Sequence, residues 1–263
     1  MLRWITTLIK TWRDYPLRNS LLVDDMYRIL SQLGEGSFGI TYLVSDIQTE
    51  RRFVLKQNRA SKGERAVQML HYEFTTMGAI QHEYMPRAER LFEWRNRHFL
   101  LMEYIEGITL EALIFTEAKT FTTIETVSIA RQIVHIISEV HRHGYVHLDV
   151  RLPNLIMHKD CVYLLDFGLA RRIGDHPDEE PYQSGKLAYR HLAEPQSDLY
   201  ALGHVMLFML YTTFSDEQAS SNWEEELVLP DELHIILRKL LKLDQPYDSA
   251  LEVIDALSRV QGE

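Results

Sequence analysis

The spacing of apolar residues changes character along this chain. From Tyr27 to Leu55, "YRILSQL", "GITYLVSDI" and "RRFVLKQ" are short runs rich in β-branched and aromatic residues, separated by turn formers. That pattern predicts antiparallel strands. A helical period follows over about residues 62–81, and "RLFEWRNRHFLLMEYI" predicts two more strands around an Arg-Asn turn. From about Leu110 onward the helical period prevails. "TIETVSIARQIVHIISEVHRHG" predicts a long helix with a Thr cap at its start and Gly144 at its end. "CVYLLDFG" predicts a short strand, and "DLYALGHVMLFMLYT", "DELHIILRKLLKL" and "ALEVIDALSRV" predict helices.

At the N-terminus, Trp4, Ile5, Leu8, Ile9 and Trp12 fall on one face of a helix, with Arg3, Lys10 and Arg13 opposite, and Pro16 breaks it. Such a helix suits an apolar groove of a partner, an anionic membrane surface or packing on its own domain. The expected organisation is therefore an amphipathic helix and linker over residues 1–26, a β-rich part over 27–105, and a mainly helical part over 106–263. The fold class is α+β. The acidic, Pro- and Gly-containing stretch from Gly174 to Gly185 reads as a loop.

Composition narrows the functions. The 263 residues are 46% hydrophobic and 25% charged, as in an ordinary globular protein. The net charge of −10 argues against nucleic acid as the main partner, because phosphate binding rewards a basic surface. Cys161 is the single cysteine, so no intrachain disulfide can form, which suits a cytoplasmic setting. The strongest apolar run, Val205 to Tyr211, is too short to span a bilayer, and no secretory signal is legible.

Four stretches could carry chemistry. "GEGSFG" (Gly34, Glu35, Gly36, Ser37, Phe38, Gly39) lies between two predicted strands. Glycines there allow backbone N–H groups to approach a phosphate, although a plain Gly-rich hairpin reads the same way. A dinucleotide-binding motif would need a helix next, and "ITYLVS" is a strand instead. Lys56 closes the apolar strand "FVLK"; Glu73, Glu64 and Glu83 could each face it. In "HLDVRLPN", Asp149 could accept a proton from a hydroxyl, and Asn154 could ligate a metal through its amide oxygen. In "LLDFG", Asp166 is a carboxylate at the end of an apolar strand, expensive unless it meets a cation. Taken singly, each Asp or Asn is more simply a turn or capping residue.

The ordered set is more specific than its members. Gly-rich hairpin, strand Lys, helix Glu, Asp-x₄-Asn and Asp-Phe-Gly follow one another in one chain. Together they resemble the eukaryotic-type protein kinase family, over roughly Tyr27 to Val260. The resemblance implies a two-lobed fold, with a small antiparallel β lobe carrying one main helix and a larger helical lobe. It implies that the backbone of Gly34–Gly39 covers the phosphates of ATP, with Thr41 and Val54 on the strands around the nucleotide. Lys56 would hold the α- and β-phosphates and pair with Glu73, which precedes His82 by the family's usual distance. Met102 would control access behind adenine, and the backbone of Glu103 to Ile105 would bond it. Asp149 would be the catalytic base, with Arg151 steadying the γ-phosphate. Asn154 and Asp166 would hold Mg²⁺ or Mn²⁺. Asp198 would brace the catalytic loop, and Met77, His147 and Phe167 would stack in an apolar column.

Departures from the family pattern are informative. Leu148 stands where many relatives have the Arg that grips a phosphorylated activation loop. Arg151 replaces a Lys, and Thr41 a Val. "SGKLAYRHLAEPQSDLY" keeps Gly185 and Tyr189, but Lys186 replaces a hydroxyl residue and Ala193 falls at the Glu of Ala-Pro-Glu. The Arg that normally pairs with that Glu is missing from "LDQPYDSAL". With both partners gone, no charge is stranded, so the region reads as remodelled. The expected reaction is Mg²⁺-dependent transfer of the ATP γ-phosphoryl group to Ser or Thr of a protein, this protein itself included. The alternatives are a kinase-like phosphotransferase acting on a small molecule and a nucleotide-binding pseudokinase acting as a regulatory module.

Overall fold

The structure is a computed structural model of the chain and describes residues 15–36, 39–175, 192–214 and 222–260. The expected helix over residues 2–13 lies outside the described residues, as do Ser37, Phe38, Tyr182, Ser184, Gly185, Lys186 and Tyr189. The chain divides into two compact units. One comprises residues 1–81 and 86–105, the other residues 82–85 and 106–263.

The first unit is a six-stranded antiparallel sheet with one long helix. Its strands are β1 (Leu22–Val23), β2 (Tyr27–Glu35), β3 (Gly39–Asp46), β4 (Arg52–Asn58), β5 (Ala88–Trp94) and β6 (Arg97–Glu103), in the order β1-β2-β3-β4-β6-β5. Inward residues alternate along β3 and β4: Ile40, Tyr42 and Val44 on β3 and Phe53 and Leu55 on β4 join Phe99 in the core, while β6 is buried on both faces from Phe99 to Met102. The β5–β6 turn falls at Arg95 and Asn96, both at positive φ, which is the turn expected at "RN". α1 (Glu64–Ala79) buries Ala66, Leu70, Glu73 and Met77 on one face. Residues 15–26, expected as a linker, belong to this unit: Leu22 and Val23 pair with Arg28 and Tyr27, and Val23 is fully buried.

The second unit is mainly helical. α2 (Leu110–Phe115) follows β7 (Ile108–Thr109), and α3 (Thr123–Arg142) is the long helix the period predicts. Its start is fixed by a reciprocal cap: the Thr122 side chain accepts from the Glu125 N–H, and the Glu125 carboxylate accepts from the Thr122 N–H. α4 (Pro195–Leu210), α5 (Trp223–Glu226), α6 (Asp231–Leu240) and α7 (Ala250–Arg259) complete the helices among the described residues. The short strands β8 (Tyr145–Val146), β9 (Leu155–His158), β10 (Cys161–Leu164) and β11 (Arg171–Arg172) form two small antiparallel sheets, β10-β9-β7 and β11-β8. Gly107, at φ +148°, passes so close to the Met157 carbonyl that a side chain there would collide with it. Residues 82–85 join this unit because the Leu164 N–H donates to the Tyr84 carbonyl at 3.0 Å and the Tyr84 ring meets Tyr163 edge-on.

Candidate active site

The sequence-predicted residues fall into two groups, one in each unit. In the first unit, Gly34 and Glu35 end β2, and Gly39 starts β3. The Gly36 N–H donates to the Gly39 carbonyl at 2.9 Å, so the hairpin closes on itself at its tip. A Cβ at Gly39 would lie 2.7 Å from the Gln57 carbonyl, so that position needs glycine. Thr41 stands opposite Lys56, and Val54 opposite Met102, on neighbouring strands. Glu103 ends β6, with its N–H donating to the Arg87 carbonyl, and Ile105 is buried.

Lys56 Nζ lies 2.9 Å and 2.7 Å from the two carboxylate oxygens of Glu73. Of the three glutamates the sequence left open, the fold pairs Glu73 with Lys56. Glu73 is buried on the inner face of α1, so its charge needs this partner. Lys56 keeps some exposure at 16%, which leaves its cation within reach of a ligand.

In the second unit, Asp149, Arg151, Asn154 and Asp166 come together around a turn of 3-10 helix at Leu152–Asn154. Asn154 Nδ2 donates to the Asp149 carbonyl at 2.9 Å and to Asp149 Oδ2 at 2.6 Å. Because the nitrogen is the donor, the amide oxygen is the end available to a cation. Arg151 Nε lies 3.0 Å from Asp149 Oδ1. Burial pushes the Asp149 carboxyl above its ordinary value; Arg151 and Asn154 oppose this, and the Asp166 carboxylate adds to it. Asp166 sits two residues beyond β10 in the left-handed region (φ +61°), and its side chain accepts from the Gly168 N–H at 3.2 Å.

The support beneath these groups is buried and polar. Asp198 on α4 is fully buried and accepts from the backbone N–H of His147 at 2.8 Å and of Leu148 at 2.7 Å. It also meets His141 Nε2 at 2.9 Å. Burial works to raise the Asp198 carboxyl, but His141 and these donors hold it below the ordinary aspartate range. Leu148 carries φ +63°, a costly conformation for a branched residue. Asp198 grips the Leu148 amide and the one before it, which fixes the chain as it enters this conformation. His147 is itself fully buried, shares a hydrogen bond with the Leu165 carbonyl at 3.0 Å, and stacks edge-on against Phe167 at 4.7 Å. Burial lowers its pKa, so its ring is neutral near pH 7. Met77, expected in the same apolar column, is buried on α1 in the first unit.

Sequence reasoning missed His141: a histidine near the end of a long amphipathic helix carries no signal of its own. It also finds no charge pair for the segment before α4. Ala193 is buried and Glu194 occupies the N-cap position of α4. Lys242, beyond α6, stands 6.0 Å from the Tyr200 ring; burial lowers its pKa and Glu194 pulls it back up. A cation therefore does face this segment, from just before the stretch that the motif indicates.

A protein kinase domain model matches residues 27–258. This chain belongs to that family. The resemblance carried by the motifs is thus confirmed. The chain is 29% identical to a probable serine/threonine-protein kinase, YbdM, of Bacillus subtilis, over 94% of this chain and 93% of that one. It is 26% identical to serine/threonine-protein kinase B of Synechocystis, covering 91% of this chain but 47% of the relative. With serine/threonine-protein kinase PrkC of Bacillus subtilis it shares 28% identity, over 76% of this chain and 33% of the relative. The chain thus spans half or less of those two longer kinases. The solved kinase domain of PF14_0431 superposes with a TM-score of 0.72 at 12% identity, over 93% of this chain and 98% of that one, so the likeness is one of fold.

Proposed function

We propose that this protein transfers the γ-phosphoryl group of ATP to a Ser or Thr hydroxyl of a protein. The observation that carries this reading is the grouping of Arg151, Asn154 and Asp166 around Asp149, set beside relatives named as serine/threonine-protein kinases. Asn154 and Asp166 would hold a divalent ion, which would neutralise charge that develops on the phosphates. Among the described residues no cluster of three or more His, Cys, Asp or Glu gathers into an all-protein metal cage. Two protein oxygens plus phosphate are a usual ligand set for Mg²⁺.

The chain's own groups divide the remaining work. Lys56, aimed by Glu73, takes the phosphates. Asp149 accepts the proton of the attacking hydroxyl, and its raised pKa makes it a better base than an exposed carboxylate. Arg151 steadies charge on the transferring group. Arg151 stands two residues after the base, where Ser/Thr kinases of the family carry a cation, and that resemblance favours short hydroxyl side chains as acceptors.

The test is incubation of the purified protein with γ-labelled ATP and Mg²⁺ or Mn²⁺. Label on Ser or Thr of this protein or of a general protein substrate is expected. Label on a small molecule alone, or nowhere, overturns the proposal.

A further inference from the structure

The first arm of the glycine-rich hairpin, Gly34 to Gly36, is open to its surroundings. A Cβ placed at Gly34 would touch nothing within 4 Å, and one at Gly36 would meet only the Gly39 carbonyl, at 3.9 Å. The β3 arm is fixed, because Gly39 pairs with Asn58 at the end of β4. The β2 arm pairs only with β3 here, Gly34 with Thr41 and Glu35 with Ile40, because β4 lies on the far side of β3. From the end of β4 a side chain reaches across to it. Arg59, the residue after β4, donates from Nε to the Gly36 carbonyl at 2.7 Å, and its Nη2 pairs with Glu35 Oε1 at 2.5 Å. The Gly36 peptide is thereby pinned on both sides, its N–H by Gly39 and its carbonyl by Arg59.

We propose that Arg59 is the positioning residue of this loop, holding its first arm where its amides can meet phosphate. The inference rests on the reading that Gly34–Gly39 covers the phosphates of ATP. Arg59 acts through Glu35 and the Gly36 carbonyl and is not itself a phosphate ligand. The arrangement favours this role, because the guanidinium is already matched by a carboxylate and a carbonyl. A planar two-point donor holds a geometry that a single point charge cannot. The sequence gives one further sign: Arg59 lies three residues beyond Lys56, so one strand end sets both the phosphate-binding lysine and the loop above it.

The two roles predict opposite signs in one variant. Should Arg59 position the loop, Glu35→Gln loosens it and raises the KM for ATP. Should Arg59 bind phosphate directly, Glu35→Gln frees the guanidinium and lowers that KM. Steady-state kinetics of the full chain with Mg·ATP decides between them. Arg59→Ala and Glu35→Gln are each expected to raise KM about three- to fivefold, with kcat changed less than about twofold. The double variant should be no worse than Arg59→Ala, and Arg59→Lys should recover part of the loss. The melting temperature should hardly move, because the pair is partly exposed. A fall in KM on Glu35→Gln, or an unchanged KM in Arg59→Ala, overturns the proposal. Amide hydrogen exchange on nucleotide-free protein supplies a readout independent of turnover: Arg59→Ala should speed exchange at Gly36. A parent protein without turnover contradicts the kinase reading, whereas unchanged exchange at Gly36 contradicts this inference alone.

Discussion

Lys56 and Glu73 form a two-oxygen ion pair at 2.9 Å and 2.7 Å, and the glutamate side is 2% exposed. The pair joins β4 to α1, so it is structural, and the proposed function gives its lysine a second role on phosphate. These roles can be separated. Lys56→Met strands a buried carboxylate and should cost about 3–5 kcal/mol of stability as well as activity. Lys56→Met combined with Glu73→Leu removes both charges and should regain most of that stability while staying inactive. Denaturant melts and phosphotransfer rates on the two variants check this.

Asp198 is the second buried anion. Asp198→Ala leaves two backbone donors and His141 without their acceptor, and should destabilise the fold by roughly 3–5 kcal/mol. Leu148 would then lose the grip on its positive φ, so activity should fall further than stability. The pH dependence follows from the depressed Asp198 pKa. Its stabilisation is fully present above the ordinary aspartate value of 3.8 and is lost as pH falls through the lower folded value. The stability gap between the parent and Asp198→Ala should therefore close in acid, as chemical denaturation at stepped pH would record.

Asp149 behaves in the opposite sense. Its pKa is raised, so the acid limb of kcat/KM should lie above 3.8, with the base active only once ionised. Arg151 holds that carboxyl down, so Arg151→Gln should move the acid limb to higher pH as well as lower the rate. Comparing the two profiles with the same nucleotide cancels the titration of ATP itself.

Asp166→Ala should abolish most of the metal-dependent part of the stabilisation that ATP gives. A ligand that binds only the folded state raises its apparent stability. Thermal melts with ATP, with and without Mg²⁺, on parent and variant measure this. Equal metal-dependent shifts in both would contradict the role of Asp166.

Leu148 cannot make the charge-assisted bonds by which an Arg would order a phosphorylated loop. Activity should therefore not require phosphate on the segment before α4. A double Ser184→Ala, Tyr182→Phe variant should keep its rate within about tenfold, the equivalent of roughly 1.4 kcal/mol of barrier.

Much of this was legible in the sequence, for physical reasons that differ by element. Strands β2 to β6 showed as short runs rich in β-branched and aromatic residues with turn formers between them, the composition that a pleated, largely buried sheet favours. α3 was legible from its period and its Thr122 cap. The shortest elements were not: β8 and β11 have two residues each, too few for a period, and they exist only because they pair with each other. Residues 15–26 read as a linker because Leu21 to Val23 are brief, yet Val23 fills the sheet core. At the candidate site, Lys56, Asp149, Asn154 and Asp166 were singled out through the order of their motifs. The choice of Glu73 over Glu64 or Glu83 rested on family spacing, and the helix phase is its physical reason: Glu73 shares the buried face of α1 with Leu70 and Met77. His141, Arg59 and Lys242 were missed because each acts through a neighbour distant in sequence or supplied by another element.

The most direct measurement is the rate of γ-phosphoryl transfer from Mg·ATP to protein Ser and Thr, with the parent and Asp149→Asn assayed side by side and phosphosites mapped by mass spectrometry. Asp149→Asn keeps the size of the side chain but removes the base. The account predicts phosphoserine or phosphothreonine from the parent and a loss of at least about a hundredfold in the variant. Phosphotyrosine as the main product, or transfer that persists undiminished in Asp149→Asn, would contradict it.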